Sequence, residues 1–395
     1  MGFTALGGLA AVLVSHAPIT EAWSAGGLGI MISFLILVLI SLIVYWINRK
    51  LKTNKKKYWI ITLVIIIGLI IVKLIYHPSV LAIEAVNPTL TGFLGGMGLP
   101  IIFSWIVGGF FAAAVAFAIG KITLGLRSDY LAIATLGISE IIIAVLKSEE
   151  WLSRGVKNVV GLKRPVPYEI DLQQTEWFIS AVQYLNQSYL VNIIDKLEYE
   201  KVLNQLVIDS SIIFVKICYA ILFSIVLLII LYLANKAQIS PWGRMMRAIR
   251  DNETSANAMG KNVVNRHLQI FVIGSGVVGI AGAMLITLDS LFTPISFQPL
   301  RYTFLIWIMV IVGGSGNNLG AILGGFIIWF TWIEAAPAAK FVINILTSGL
   351  EDTNSFKIHL LNSIPYFRYL IMGTILLLIM RFRPKGIIPE KIRYS

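Results

Sequence analysis

The run SIIFVKICYAILFSIVLLIILYL, from Ser211 to Leu233, contains one charged residue in 23 positions, and LGIMISFLILVLISLIVYWI, from Leu28 to Ile47, contains none. As α-helices, both runs are long enough to cross about 30 Å of hydrocarbon. Hydrophobic residues make up 57% of the 395 residues and charged residues only 13%. A soluble domain carries about 25% charged residues. The composition therefore predicts an integral membrane protein.

Similar apolar segments recur along the whole chain and are separated by polar loops. Several are shorter than the ~17 residues that a complete crossing needs, so their ends are approximate. The sequence predicts an all-α integral membrane protein, a polytopic helical bundle of about ten membrane segments. The segments cover approximately residues 3–14, 28–47, 58–76, 99–120, 130–146, 211–233, 268–288, 302–313, 320–334 and 366–380.

Three basic regions determine the predicted orientation: the loop Lys50–Lys57, the stretch 234–267 and the tail after residue 380. Strict alternation of ten segments places all three on one side, which the positive-inside rule assigns to the cytoplasm. The connections 147–210 and 335–368, with more balanced charge, then lie outside. This topology accounts for the formal net charge of +12, so we expect no nucleic-acid binding. The part from Glu176 to Leu206 is either a helix lying at the outer surface or an ordinary amphipathic connector.

The chain contains fragments of nucleotide-binding motifs, but the residues around them exclude such sites. Gly260-Lys261, like the other Gly-Lys pair in the chain, lacks the upstream glycine and the following hydroxyl of a phosphate-binding loop. Gly274–Gly279 has the spacing of a dinucleotide-binding turn, but it lies inside an apolar segment, where small residues favour close helix packing. The histidines lie far apart and Cys218 is the single cysteine, so we expect no metal cluster and no intrachain disulfide. We expect no enzymatic activity in this chain.

Glu140 lies within the apolar segment 130–146, where an ionised carboxylate is costly unless it is paired or wetted. It is either a functional residue or one half of a polar contact between helices, and the sequence favours neither. Thr135, in the same segment, is a weaker candidate because a hydroxyl in a helix can satisfy its own backbone.

The stretch 240–260, on the predicted cytoplasmic side, has the most specific pattern. Ser240 followed by Pro241 predicts the start of a helix, and Gly260 predicts its end. Arginines three residues apart share one face. We interpret the stretch as a basic and apolar helical element that docks in a groove of another protein, whereas the alternative is a basic loop that anchors to anionic lipid. The residues that favour the groove are Met246, Ile249 and Met259.

This stretch resembles the coupling loop of the branched-chain amino-acid permease family, specifically the LivM-type subunit of ABC importers, which pairs with a LivH-type permease. Three further blocks agree with the family pattern, at residues 126–141, 313–320 and 383–387. Their order and spacing hold from about residue 99 to the end. The resemblance implies an ATPase-coupling role for the matching positions. These are Gly243, Arg244, Arg247, Ala248, Ile249, Arg250, Asp251, Glu253, Ala256 and Gly260.

The resemblance implies a single transmembrane permease domain over residues 1–395, located in the plasma (inner) membrane. It implies the permease subunit of an ATP-driven ABC importer for branched-chain or related amino acids, with Thr135 and Glu140 on the translocation path. The implied partners are a LivH-type sister permease, two ABC ATPase subunits that bind the ATP, a periplasmic amino-acid-binding protein and membrane lipid. No cofactor is expected in this chain.

Two alternatives remain open. A urea or short-amide permease belongs to the same family. An ion-coupled secondary transporter belongs to another class, and the lack of a chain of ionisable residues within the membrane segments argues against it.

The chain also departs from the family pattern. An early span and a Gly-Gln-x-Ser-Leu-Gly segment of the family are missing, so we expect the chain to start late. Residues 15–98 are interpreted as an inserted helix hairpin, and two added spans leave the orientation of everything downstream unchanged. Residues 166–210 and 335–365 look expanded.

Overall fold

The computed structural model describes residues 1–50, 55–88, 91–124, 128–191, 195–349, 351 and 354–390. Helices account for most of these residues. Within them, strands β1 (Val159–Val160) and β2 (Leu291–Phe292) form one short antiparallel pair. The predicted all-α, polytopic helical class is confirmed.

The first half of the chain forms eleven helices within the described residues, and the π-helical turn Trp23–Gly27 joins the second to the third. They are α1 (Gly2–Ser15), α2 (Thr20–Ala22), α3 (Leu28–Lys50), α4 (Lys55–Ala85), α5 (Ile101–Thr123), α6 (Ser128–Ser148), α7 (Glu150–Ser153), α8 (Glu169–Gln174), α9 (Glu176–Leu185), α10 (Gln187–Leu190) and α11 (Lys196–Ile239).

The second half continues with helices and a 3-10 turn at Pro294–Ser296. The helices are α12 (Pro241–Asp251), α13 (Glu253–Ala258), α14 (Val263–Asp289), α15 (Pro299–Gly313), α16 (Asn318–Leu346), α17 (Ser355–Asn362) and α18 (Ile364–Phe382).

Among the described residues, seven helices are long and apolar enough to cross a membrane. The apolar helices Gly2–Ser15 and Arg301–Gly313 are shorter, and α6 is not one of the seven. The predicted count of about ten is therefore not confirmed: two of the predicted segments form helices too short for a full crossing, and α6, with 21 residues, is not among the seven. The seven are Thr20–Lys50, Lys56–Ala85, Ile101–Thr123, Lys196–Ile239, Val263–Asp289, Asn318–Leu346 and Ile364–Phe382.

The helices divide into two compact units, which we describe separately. Unit 1 comprises residues 1–227 and 251–297, and unit 2 comprises residues 228–250 and 298 onward.

Unit 1 is built on α1, α5 and α14, which approach one another closely through small residues. A Cβ atom added to Gly279 of α14 would lie 2.6 Å from the carbonyl oxygen of Gly108 in α5. Gly7 of α1 lies directly against Gly279 in the same way. The helix-packing interpretation of Gly274–Gly279 is confirmed, although Gly274 itself faces open space.

Buried polar groups fix the register of this packing. The indole nitrogen of Trp105 donates to the hydroxyl of Thr287 at 2.9 Å, and that hydroxyl donates to the carbonyl of Ala283 at 2.8 Å. Tyr219 of α11 donates to the carbonyl of Thr287 at 3.2 Å. The buried Thr287 hydroxyl therefore accepts one hydrogen bond and donates another, which satisfies it inside an apolar core.

Within the described part of the predicted external connection, residues 147–210, the short helices α8 and α9 pack with the first half of α11. Phe178 and Val182 of α9 are buried in one cluster with Val207 and Val215 of α11. On α9, Trp177, Tyr184 and Leu185 are exposed, so the surface helix and the amphipathic connector both stay predictions.

Helices α3 and α4 pack on each other and on the π-helical turn, and we call this pair the hairpin. Most of their side chains are exposed, including large apolar ones. The end of α4 is held by polar contacts: Tyr76 donates to Glu149 Oε2 at 2.6 Å, and the indole of Trp151 donates to the Tyr76 oxygen at 2.7 Å.

Unit 2 contains α15, α16 and α18 around a core that includes Ile308, Ile328 and Met372. Gly313 and Gly320 allow α15 to end directly against the start of α16. The glycine-rich turn between these two helices therefore serves a close backbone approach.

Candidate functional site

The candidate site begins where α11 ends, at Ser240. The Ser240 hydroxyl accepts a hydrogen bond from the backbone N–H of Gly243 at 3.2 Å and donates to the carbonyl of Ala237 at 2.6 Å. Pro241 occupies the first helical position, where its missing N–H costs nothing. The predicted start of α12 is confirmed.

Gly243 is needed for close packing at this start. A Cβ atom there would lie 2.5 Å from the carbonyl oxygen of Gln238, and closer still to that of Ala237. Because both atoms belong to the backbone, no side-chain movement relieves the clash. Any larger residue at this position must shift α12 relative to the end of α11.

Helix α12 has a buried side and a basic exposed side. Ile249 is 3% exposed and Gly243 is buried, whereas Ala248 is exposed. The exposed charged residues are Arg244, Arg247, Arg250 and Asp251. The exposed side of α12 is therefore basic, and the small Ala248 lies at its edge, one turn from Arg244 and Asp251.

Helix α13 follows after Asn252, whose side chain accepts from the backbone N–H of Ser255 at 2.9 Å. Ala256 is 9% exposed, while Glu253 is exposed. Gly260 adopts a left-handed φ of +75°, which ends α13 as predicted. Met259, just before it, is 80% exposed. The predicted single element 243–260 is thus two short helices in succession.

The C-terminal tail supports α12 within unit 2. Arg250 forms an ion pair with Glu390, with 3.1 Å from Nη1 to each carboxylate oxygen. The backbone N–H groups of Ile387 and Ile388 donate to the carbonyls of Val312 and Gly313, both at 2.9 Å. The blocks 313–320 and 383–387 are separate motifs in the sequence. In the structure, hydrogen bonds join the end of α15 to the tail, two residues before Glu390.

Polar side chains also join the end of α11 to the start of α16. Asn318 donates to Asn235 at 2.8 Å and accepts from Gln238 at 3.2 Å. Sequence reasoning missed Glu390, Asn318 and these partners. The one available signal was the sign of Glu390, an acid within a basic tail that could pair with the arginines of α12.

The second candidate pair, Thr135 and Glu140, lies on α6 in unit 1. Thr135 is half-buried and Glu140 is exposed. Five helical positions separate them by about 140° around the axis, so they lie on different faces. The neighbouring Ser139 faces α1, where it accepts from the backbone N–H of Gly2 at 2.8 Å. Glu140 is therefore directed away from the packed core of unit 1, and the structure does not bring the two candidates together.

Part of the sequence-based assignment lies outside the described residues. Leu126 and Arg127, at the start of the block 126–141, belong there, as do residues 51–54 of the first basic loop and 391–395 of the tail.

The sequence profile of the family described as "Branched-chain amino acid transport system / permease component" matches residues 80–380. The match therefore excludes α3 and most of α4 and includes the whole of α12 and α13. No solved structure matches the chain.

Individual relatives agree with the family. The chain is 29% identical over 156 residues to a probable branched-chain amino acid transport permease protein LivM of Methanocaldococcus jannaschii, covering 38% of this chain and 41% of that protein. It is 24% identical over 283 residues to the high-affinity branched-chain amino acid transport system permease protein LivM of Escherichia coli K12, covering 72% and 56%. The chain spans about half the length of the curated relatives it matches.

The helices that can cross a membrane and the extent of the profile match lead to the same conclusion. The chain is a multi-pass protein of the inner membrane and belongs to the permease component family of branched-chain amino acid transport systems.

Proposed function

We propose that this chain is the membrane-spanning permease subunit of an ATP-driven importer for branched-chain or related amino acids. The observation that carries this proposal is the pair α12 and α13, placed between the candidate spans α11 and α14 on the predicted cytoplasmic side. A transporter that received its energy from an ion gradient would not need such an element.

Each of the two helices exposes residues that suit contact with another protein. Just after α13, Met259 is a large apolar side chain that is 80% exposed. On α12, Ala248 is exposed, and the exposed Arg244 and Asp251 lie one helical turn from it. In a helix-in-groove contact, apolar anchors supply affinity and charges supply orientation. Ile249 and Ala256 are buried in the chain itself, so their role is to hold the two helices in place.

In the proposed assembly, two separate ABC ATPase subunits bind ATP and contact this element. A LivH-type sister permease completes the path, and a periplasmic binding protein delivers the amino acid from outside. ATP-driven closure of the ATPases would move α12 and α13 and bias the permease between inward and outward states. Glu140, exposed on α6, would face the path or the sister subunit.

The test is uptake by the assembled transporter in liposomes, with labelled leucine as the substrate. We expect uptake that requires internal ATP and the loaded binding protein, and that a sodium or proton gradient does not replace. Uptake driven by an ion gradient without ATP would contradict the proposal. Uptake of labelled urea in preference to leucine would keep the importer and replace its substrate.

A further inference from the structure

Two arginine side chains of unit 2 converge on a single indole ring. Trp332 lies on α16 and is 6% exposed. The guanidinium carbon of Arg301, near the start of α15, lies 5.0 Å from the centroid of this ring, and that of Arg368, near the start of α18, lies 5.6 Å from it. Three helices therefore contribute to one cluster of two positive charges.

Neither arginine has an acidic partner among the residues that the structure describes. The Nε atoms of Arg301 and Arg368 are buried, and within the same residues they have no hydrogen-bond partner. Arginine remains protonated in proteins, and an uncompensated charge near a membrane interior is costly. Stacking on an aromatic ring offsets only part of that cost. The cluster therefore carries two positive charges with no counter-charge among the described residues.

Arg301 and Arg368 lie near the predicted outer ends of α15 and α18, and Trp332 lies midway along α16. Arg301 and Arg368 are in the first turns of α15 and α18, opposite to the ends that meet the basic tail. The ring of Tyr369 contacts the edge of Trp332 at 5.5 Å between centroids, and Arg301 also lies 5.4 Å from the ring of Tyr302. Tryptophan, tyrosine and arginine at one level are typical of the boundary between hydrocarbon and lipid headgroups.

The surroundings of the cluster favour lipid over a polar solute. Exposed side chains within three positions of the cluster on its three helices include the large apolar Phe304, Ile333 and Leu370, together with the acid Glu334. A path for a zwitterionic amino acid needs polar groups along its wall, whereas acyl chains pack on apolar side chains. The guanidinium group binds phosphate oxygens through two parallel hydrogen bonds.

We propose that Arg301, Arg368 and Trp332 form a binding site for the phosphate of an anionic phospholipid in the outer leaflet. The two guanidinium groups bind the phosphate oxygens, the indole holds the guanidinium groups in position, and the acyl chains lie along the apolar faces of α15, α16 and α18. The proposal does not depend on the transported substrate.

The test measures lipid that stays bound to the purified full-length chain by native mass spectrometry. Micelles contain equal amounts of phosphatidylglycerol and phosphatidylcholine. The variant R301Q/R368Q is compared with the matched variant R381Q/R383Q, which removes two arginines from the other end of α18. We expect wild type and R381Q/R383Q to retain phosphatidylglycerol over phosphatidylcholine, and R301Q/R368Q to lose about tenfold or more of that retention.

Equal retention of the two lipids by wild type overturns the proposal, and this result needs no variant to fold. Retention that is unchanged in R301Q/R368Q also overturns it. If the variant instead raises the leucine KM of the assembled transporter with lipid unaffected, the site binds the amino-acid carboxylate. If it releases the sister permease with lipid unaffected, the missing acid comes from that subunit. Size-exclusion profiles establish that the variants are folded, and R368Q alone replaces the double variant if they are not.

Discussion

The packed helices α5 and α14 and the hairpin helices α3 and α4 are all apolar enough to cross a membrane, but they differ in what covers them. In the most apolar window of α5 and of α14, 39% of residues are buried within the chain, whereas the values for α3 and α4 are 11% and 6%. The packed pair is rich in glycine and alanine at its contacts, and the hairpin presents large branched side chains. Apolarity decides that a helix enters the membrane, and small residues decide which helix it contacts there.

The largest effect is expected from a large side chain at a glycine of the packed pair. In Gly279→Leu, the new Cβ meets the backbone of Gly108 and the Cβ of Ala112, at 2.6 Å and 2.5 Å. Because helix backbone must shift, we expect a loss of about 3 kcal/mol or failure to fold. The matched variant Gly68→Leu in the hairpin meets only the flexible side chain of Ile40 and should cost little. Thermal unfolding in detergent measures both, and equal sensitivity of the two would refute the contrast.

The second prediction removes one buried hydrogen bond. Thr287→Val keeps the side-chain shape but leaves the indole N–H of Trp105 without its acceptor. We expect a loss of about 1–2 kcal/mol of stability. Thr62→Val in the hairpin serves as the control, because the exposed Thr62 hydroxyl donates only to the carbonyl of its own helix, at Tyr58. A Thr287→Val protein as stable as wild type would show that the core tolerates the unpaired donor.

The third prediction concerns charge on exposed membrane helices. Glu140 of α6 and Lys73 of α4 are both exposed. If Glu140 serves transport, Glu140→Gln should lower leucine uptake about tenfold with unchanged assembly, a loss typical of a functional polar group. Lys73→Gln should leave uptake unchanged, because Lys73 lies on the hairpin, outside the residues 80–380 that match the permease family. Normal uptake by Glu140→Gln at wild-type expression assigns Glu140 to a tolerated interface position.

The smallest effect is expected at the polar end of the hairpin. Tyr76→Phe removes the hydroxyl that joins Glu149 and Trp151. We expect a loss of about 1 kcal/mol or less, restricted to α3 and α4. Hydrogen exchange should accelerate in α4 and remain unchanged in α14. Faster exchange in both helices would mean that the hairpin supports the core.

The sequence predicted the helices and the start and end of the coupling element because these depend on neighbouring residues. Ser240 and Pro241 start α12, and Gly260 ends α13, through interactions within a few positions. The count of spans was less certain, because a short apolar run predicts a helix without predicting a full crossing. The pair of Arg250 with Glu390 could not be predicted, since the two residues lie 140 positions apart and meet only when unit 2 has folded.

The sequence also could not predict which residues of the coupling element are buried. Ala256 and Ile249 match the family pattern as coupling residues, and the structure places both inside the chain. A large residue at either position would disturb α12 or α13 before it reached a partner. Ala248 matches the same pattern and is exposed, so it is the position where a change acts on the partner alone.

The most direct test of the account is therefore the variant Ala248→Arg. We measure how much of the co-expressed ATPase subunits co-purifies with it, and compare the result with Ala338→Arg, at an exposed alanine of α16 on the predicted outer side. The account predicts a loss of about tenfold for Ala248→Arg and none for Ala338→Arg, because a long charged side chain blocks a groove contact on α12. Full retention of the ATPases and normal uptake by Ala248→Arg would contradict the coupling role of α12 and α13 and favour a loop that anchors to lipid.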